Sequence, residues 1–227
     1  MLYVKRTLIL MLVLFSAAAV FAQDEITFTT PNGQVVRAQP EATESFDRLS
    51  AWESYVSPDG VELGVDRGVY RAYSEVEGFV WGLNDDVHAD AIIEVDALLL
   101  NIFTENGYGV MCRADEDESG NGYYFMINAN GYYAIFLGDE DGLTPLIDWE
   151  RSDAIHDGID SNHLQVMCYR DSLALYANGE LVAETQDDTY DSGYAGLAVA
   201  ASHNPVDVAF DNLSIYQVAD PSHRSAP

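Results

Sequence analysis

Two carboxylates in one predicted strand are the first residues whose spacing could do chemistry. Glu94 and Asp96 are separated by one residue in the segment IIEVDALLL. In a strand, this spacing puts both side chains on the same face, with about 7 Å between their Cα atoms. Glycoside hydrolysis needs two carboxyl groups, about 5 Å apart in enzymes with a covalent intermediate. Charged residues on strands are usually solvated, and we interpret this pair as a solvated strand face.

Four potential metal ligands are concentrated in one short segment. His156, Asp157 and Asp160 lie in the loop between the predicted strands Leu143–Trp149 and His163–Arg170, and His163 begins the second strand. Imidazole and carboxylate groups are common zinc ligands, but a plain polar loop explains the same residues. The G-x-S-x-G sequence that presents a nucleophilic serine does not occur in the chain. A divergent hydrolase that uses this cluster is an alternative interpretation.

An acidic turn carries the opening of a calcium-binding sequence. Asp115, Asp117, Ser119 and Gly120 form the pattern D-x-D-x-S-G, in which alternate oxygen ligands converge on a cation. The twelfth position holds Met126 instead of a bidentate glutamate, which excludes an EF-hand. The sequence predicts a looser calcium site formed by Asp115, Asp117 and Ser119, or else a solvated acidic turn.

Aromatic side chains suggest a binding surface for a ligand with a flat apolar face. Sugar rings stack on exposed aromatic rings, with polar groups alongside. Core packing is the alternative explanation for each ring. The candidate ligand-binding residues are Arg113, Tyr124, Tyr132, Phe136, Trp81 and Trp149.

The central segment 106–137 must position most of these residues. It reads as three antiparallel strands, because apolar and small residues alternate with the period of a sheet. Gly131 fits the left-handed position that closes a three-residue hairpin loop. The resulting register predicts that Ile127 faces Tyr133 and that Phe125 faces Ile135. Tyr124, Tyr132 and Phe136 then share the opposite face.

The remainder of the chain also reads as short strands. Asn178 and Gly179 form the strongest turn signal, at the centre of a two-residue hairpin. No amphipathic helix of usual length is apparent. We predict one all-β, two-sheet antiparallel jelly-roll sandwich over residues 46–217. Residues 23–45 are predicted to be a linker or a small hairpin, and residues 218–227 a disordered tail.

The N-terminus and the cysteines indicate an exported protein. Residues 1–22 combine a basic start with a short apolar run and end in a small residue, as secretory signal peptides do. No later stretch is long and apolar enough to span a membrane. Cys112 and Cys168 are the only cysteines, and both lie at inward positions of predicted strands. In an oxidising compartment we expect them to form a disulfide.

The charge balance restricts the classes of partner. The chain has 10 basic and 38 acidic residues, a net charge of -28. Removal of residues 1–22 takes Lys5 and Arg6, which leaves 8 - 38 = -30. Nucleic acids and anionic membrane surfaces need cationic patches. The sequence therefore predicts neither as a partner.

The strand sequences resemble a known family of folds. FVWGL, YGVMCRA, GYYFMI, LYANGELVAE and VAFDNLSIY are similar to strands of the concanavalin A-like and laminin G-like jelly rolls of secreted bacterial proteins. The similarity is greatest to the 3-keto-disaccharide hydrolase domain, which resembles glycoside hydrolase family 16. It extends from about Phe46 to Tyr216. Laminin G-like modules often hold calcium at the rim of the sandwich.

This resemblance implies a fold more firmly than an activity, because the fold carries lectins, adhesion modules and hydrolases. Family 16 enzymes use the strand pattern E-x-D-x-x-E, and here the third acid is replaced by Leu99, or by Leu98 in the shorter version. We therefore predict a secreted module for carbohydrate binding or extracellular recognition, without a complete family 16 catalytic motif, whose partner is a carbohydrate or extracellular glycan. A glycoside hydrolase of the 3-keto-disaccharide type and a non-catalytic structural module are the alternatives.

Overall fold

The protein folds into two antiparallel β-sheets packed face to face. A computed structural model describes residues 25–48, 50–116 and 119–219. Within these ranges no helix occurs, and the predicted all-β sandwich is confirmed. The predicted signal peptide lies outside the described residues, as do residues 220–227 of the predicted tail.

The described residues form sixteen strands. In chain order they are β1 (Ile26–Thr29), β2 (Val35–Glu44), β3 (Tyr55–Val56), β4 (Val61–Asp66), β5 (Val69–Ser74), β6 (Gly78–His88), β7 (Ala91–Leu99), β8 (Gly107–Ala114), β9 (Gly122–Asn128), β10 (Tyr132–Asp139), β11 (Gly142–Arg151), β12 (Asn162–Tyr169), β13 (Ser172–Ala177), β14 (Glu180–Gln186), β15 (Gly193–Ala201) and β16 (Val206–Val218).

The strands divide into a larger and a smaller sheet. The larger sheet has the order β14-β13-β12-β7-β16-β5-β4-β3, with β2 also paired to β16 and β1 paired to β2. The smaller sheet has the order β11-β10-β9-β8-β15-β6. Strands far apart in sequence are therefore neighbours in each sheet, as in a jelly roll.

The core lies between the two sheets. It is filled by alternate side chains of facing strands, such as Ile93 and Val95 of β7 and Val110 and Phe125 of the smaller sheet. The predicted disulfide is confirmed: Cys112 of β8 is bonded to Cys168 of β12, and it joins the two sheets. Closing a loop of 56 residues stabilises the fold by about 4 kcal/mol in the chain-entropy account.

The central hairpin has the predicted register. Ile127 pairs with Tyr133 and Phe125 pairs with Ile135. Gly131 has a φ of +81°, the left-handed conformation that its turn requires. Every residue of β8 and β9 is buried, so these central strands are covered on both faces.

Residues 26–44 form the hairpin β1–β2, which becomes part of the larger sheet. Strand β2 pairs with the second half of β16, and Val218 is the last residue of that strand. Val36 and Ala38 of β2 pack on Ile92 and Met167 at the outer face of the larger sheet. The N-terminal hairpin therefore covers part of that face. No described helix has the length and hydropathy needed to cross a bilayer.

Candidate functional site

An aromatic cluster occupies the outer face of the smaller sheet. The rings contact one another edge to face, with centroids 5.6 Å apart for Phe79 and Tyr124, 6.2 Å for Trp81 and Tyr124, and 6.0 Å for Phe136 and Trp149. Such geometry is favoured by the ring quadrupoles. We call Phe79, Trp81, Tyr124, Phe136 and Trp149 the ring surface.

The smaller sheet must be strongly curved for these rings to meet. Phe79 is on β6 and Phe136 is on β10, and three strands lie between β6 and β10. Four strand spacings in a flat sheet amount to about 19 Å. The two ring centroids are nevertheless only 5.9 Å apart. The outer face is therefore concave, and side chains from its two edges converge.

Glycines make room for the rings on this concave face. A Cβ atom on Gly120 would lie 2.9 Å from Cη2 of Trp81, so a side chain there would collide with the indole. A Cβ atom on Gly138 would lie 2.9 Å from Cε2 of Tyr124, which leaves no space for a side chain. The Tyr124 hydroxyl donates a hydrogen bond of 2.8 Å to the carbonyl of Gly120. The ring of Tyr124 is therefore held against the backbone at Gly120 and Gly138.

The rings differ in their access to solvent. Tyr124 is only 1% exposed, and its burial raises the pKa of its hydroxyl. Phe79, Trp81, Phe136 and Trp149 are partly exposed. The buried ring of Tyr124 therefore supports the partly exposed rings of Phe79 and Trp81, which it contacts. Four of the predicted ligand-binding residues, Trp81, Tyr124, Phe136 and Trp149, are therefore brought together, while Phe79 was missed by the sequence analysis.

Tyr132 lies at the start of β10, where it pairs with Arg151. It is 37% exposed and is not a member of the aromatic cluster. A ligand that covers the ring surface would have to extend along β10 to reach it.

Arg113 is not on the ring surface, which corrects the expectation that it adds a donor beside Tyr124. Its side chain is 1% exposed and donates to the carbonyls of Ala89, Arg170 and Tyr190 at 2.8–3.2 Å. It also contacts Asp90 at 3.3 Å. The left-handed φ of +53° at Arg113 interrupts the alternation on which the expectation depended. Burial lowers the pKa of this guanidinium.

A cleft opens beside the ring surface, between β6 and the hairpin β3–β4. Its volume is about 340 Å³, and Tyr55, Phe79 and Trp81 contribute rings to it. Glu53 and Asp59 contribute carboxylates. The sequence analysis did not find this cleft, because its walls come from segments that alternation alone does not bring together.

The Glu94 and Asp96 pair lies on the outer face of the larger sheet. Asp96 contacts His163 Nδ1 at 2.8 Å and accepts a hydrogen bond of 2.9 Å from Asn212. Glu94 accepts one of 3.2 Å from the Tyr216 hydroxyl. The core separates this pair from the ring surface.

The His156 segment does not gather its potential ligands. His156 Nδ1 lies 2.9 Å from the carbonyl of Ser161, and Asp157 is 3.4 Å from Arg151. His163, which lies on β12, contacts Asp96 of β7 at 2.8 Å. Across residues 25–48, 50–116 and 119–219, no group of three or more His, Cys, Asp or Glu side chains is arranged to hold a metal ion.

The acidic turn is described only in part, because Asp117 lies outside the described residues. Asn121 donates from its side chain to Asp115 at 2.8 Å and from its backbone to the Ser119 hydroxyl at 3.2 Å. Oδ1 of Asn121 is buried and accepts no hydrogen bond from a described residue. Such an oxygen is a suitable ligand for a hard cation.

Comparison with known proteins identifies similar structures. No protein family model matches it, and no curated protein matches its sequence. The carbohydrate binding module CBM66 from Bacillus subtilis superposes with a TM-score of 0.57 at 18% identity, over 74% of this chain and 96% of the module. The endo-β-1,3-glucanase from Pyrococcus furiosus gives 0.60 at 9% identity, over 86% and 98% of the two chains.

A β-1,3-1,4-glucanase (lichenase) from a mouse hindgut metagenome gives a TM-score of 0.54 at 13% identity, over 78% of this chain and 99% of the enzyme. The chain thus spans a whole domain of this architecture. The protein has a jelly-roll fold of the concanavalin A-like type, and the resemblance seen in the strand sequences is confirmed.

Proposed function

We propose that the protein is an exported glycan-binding module and that the ring surface is its binding site. The observation that carries the proposal is a set of four partly exposed rings on one concave face. Aromatic rings on such a face stack on the apolar faces of sugar rings. The five side chains of the ring surface are all aromatic, and the apolar faces of neutral sugars are their natural complement.

The fold comparisons and the disulfide support this proposal from two other directions. The similar structures include a carbohydrate binding module and enzymes named for their glucan substrates. The Cys112–Cys168 disulfide is of the kind that persists in oxidising compartments. Together with the predicted signal peptide, it supports action outside the cytoplasm.

Binding without hydrolysis is favoured by the composition of the site. Hydrolysis of a glycosidic bond ordinarily needs two carboxyl groups that flank it, and the five side chains of the ring surface supply none; Glu53 and Asp59 line the adjacent cleft. Glu94 and Asp96 are on the other sheet, on its outer face. We therefore expect a bound glycan to be retained intact.

The test is a glycan array followed by calorimetry on the glycans that bind. Trp149→Ala should weaken binding about tenfold or more, the loss typical of a central aromatic contact. Tyr73→Ala, on the outer face of the larger sheet, is the matched control and should leave binding unchanged. No reducing sugar should be released, and Asp157→Ala should not alter that result. Unchanged affinity in Trp149→Ala would refute the assignment of the site.

We also propose that the acidic turn binds calcium, with oxygen ligands from Asp115 and Asn121. The buried Oδ1 of Asn121, which no described residue satisfies, supports this proposal. Calcium should raise the midpoint of thermal unfolding, and a chelator should lower it again. Asp115→Asn should reduce the shift. A midpoint that is the same with calcium and with chelator would refute the calcium site.

A further inference from the structure

The cleft beside the ring surface has the features of a second subsite. It measures about 340 Å³ and shares Phe79 and Trp81 with the ring surface, so one ligand can occupy both. Tyr55, on its opposite wall, is 49% exposed. Small-molecule sites are concave, lined by apolar and aromatic groups, and oriented by a few polar groups. The cleft has these features and lies outside the concave face itself.

Backbone hydrogen-bonding groups are directed into this cleft. Strand β6 is the end strand of the smaller sheet. The backbone N–H of Leu83 donates to the Glu53 carboxylate at 3.3 Å, and its carbonyl accepts from the N–H of Glu53 at 2.9 Å. Alternate residues of an antiparallel strand direct both groups to the same side. The N–H and C=O groups of Phe79 and Trp81 therefore point to the side of the cleft.

The charge of the cleft selects among sugars. Glu53 and Asp59 line it, and its described lining contains no Lys, Arg or His. A uronate or sulfated sugar would be repelled, since nothing there neutralises its charge. An ammonium group would be attracted by both carboxylates and by the face of Trp81, because indole is the ring that binds cations best.

We propose that the cleft binds an amine-bearing sugar residue, a hexosamine without an acetyl group, next to the glycan segment on the ring surface. This inference rests on the proposed glycan-binding function and deepens it. The ammonium group contacts the Glu53 and Asp59 carboxylates, and the sugar hydroxyls exchange hydrogen bonds with the free edge of β6.

The test uses glucosamine, N-acetylglucosamine and galacturonic acid as probes, at a mildly acidic pH at which the amine is charged. Amide shifts of the isotope-labelled protein report binding, above all those of Tyr55, Phe79 and Trp81. Glucosamine should bind about fivefold or more tightly than N-acetylglucosamine, the ratio expected for one or two ion pairs. Galacturonic acid should bind more weakly still.

A double variant isolates the carboxylates. Glu53→Gln with Asp59→Asn should reduce the affinity for glucosamine to that for N-acetylglucosamine, while Gln can still accept the hydrogen bond from Leu83. Asp153→Asn is the matched control, because Asp153 is fully exposed and follows β11, at the opposite edge of the smaller sheet. It should keep the preference.

Equal affinity for the two hexosamines, or a preference that survives in the double variant, would overturn the cleft assignment. These outcomes leave the ring surface intact, because its test is the loss of array binding in Trp149→Ala. If Trp149→Ala binds array glycans normally, the proposed function fails whatever the cleft does.

Discussion

The outer faces of the two sheets present opposite surfaces to water. On the larger sheet, Arg71 forms two hydrogen bonds of 2.8 Å with Asp207 and an ion pair of 3.3 Å with Glu62. On the smaller sheet, the corresponding face carries the ring surface, whose five side chains are all aromatic. Both faces are built by the same strand alternation. The difference comes from residue type together with the curvature that brings rings of distant strands into contact.

The first way to test this contrast compares two arginines, one inside and one outside. Arg113→Met should destabilise the fold by about 3–5 kcal/mol, because it removes a donor from three carbonyls and the ion-pair partner of Asp90. Arg71→Met should cost less, about 1–2 kcal/mol, since Arg71 forms a bidentate pair with Asp207 that is partly exposed to solvent. Denaturant unfolding measures both. Equal losses would mean that the charged outer face contributes as much as the interior.

The second test measures how much the buried part of the ring surface contributes to the stability of the fold. Tyr124→Ala removes a ring that is 1% exposed and contacts Phe79 and Trp81. We expect a loss of about 3 kcal/mol, as for other buried aromatic residues. Tyr73→Ala, on the charged face, should cost about 1 kcal/mol or less. If both variants unfold at the same denaturant concentration, the rings are ordinary surface residues.

The third test uses alkaline pH. Burial raises the pKa of Tyr108 and of Tyr123 to about 12, from an ordinary value of 10.0. Below pH 10 both residues are neutral in the folded and unfolded states, and their contribution to stability is complete. Between pH 10 and 12 the unfolded chain ionises first, so stability should fall by about 2 kcal/mol for each of the two residues as the pH rises. Stability that stays constant over this range would contradict the burial of these hydroxyls.

The smallest effect is expected from the carboxylate pair on the charged face. Asp96→Asn should change the free energy of unfolding by about 1 kcal/mol or less, because its contacts with His163 and Asn212 are solvated. It should leave glycan binding unchanged. If this variant loses glycan binding, the binding site is on the outer face of the larger sheet and not on the ring surface.

Local features of the fold could be predicted from the sequence. The register of the β9–β10 hairpin follows from Gly131 and the alternation on either side, and the structure has the same pairs. The turn at Asn178 and Gly179 has both residues at positive φ, as this two-residue turn requires. The disulfide followed from two inward cysteines. Each of these features depends on a few neighbouring residues, or on the alternation of side chains between the two faces of a strand.

The site was less predictable, because it depends on sheet curvature and on local breaks in alternation. Nothing in the sequence of β6 shows that Phe79 reaches Phe136 on a strand four places away. The positive φ at Arg113 turned a predicted surface donor into a buried one. A glycine opposite a large ring, as at Gly120 and Gly138, is the signal that could have indicated close approach.

The distribution of indoles gives the molecule a built-in optical reporter. The chain has three tryptophans. Trp52 is 6% exposed and packs against Phe46 in the interior, whereas Trp81 and Trp149 belong to the ring surface. Occupancy of the concave face should therefore shift and intensify the intrinsic fluorescence of two chromophores. The emission of Trp52 should stay constant and serve as an internal reference.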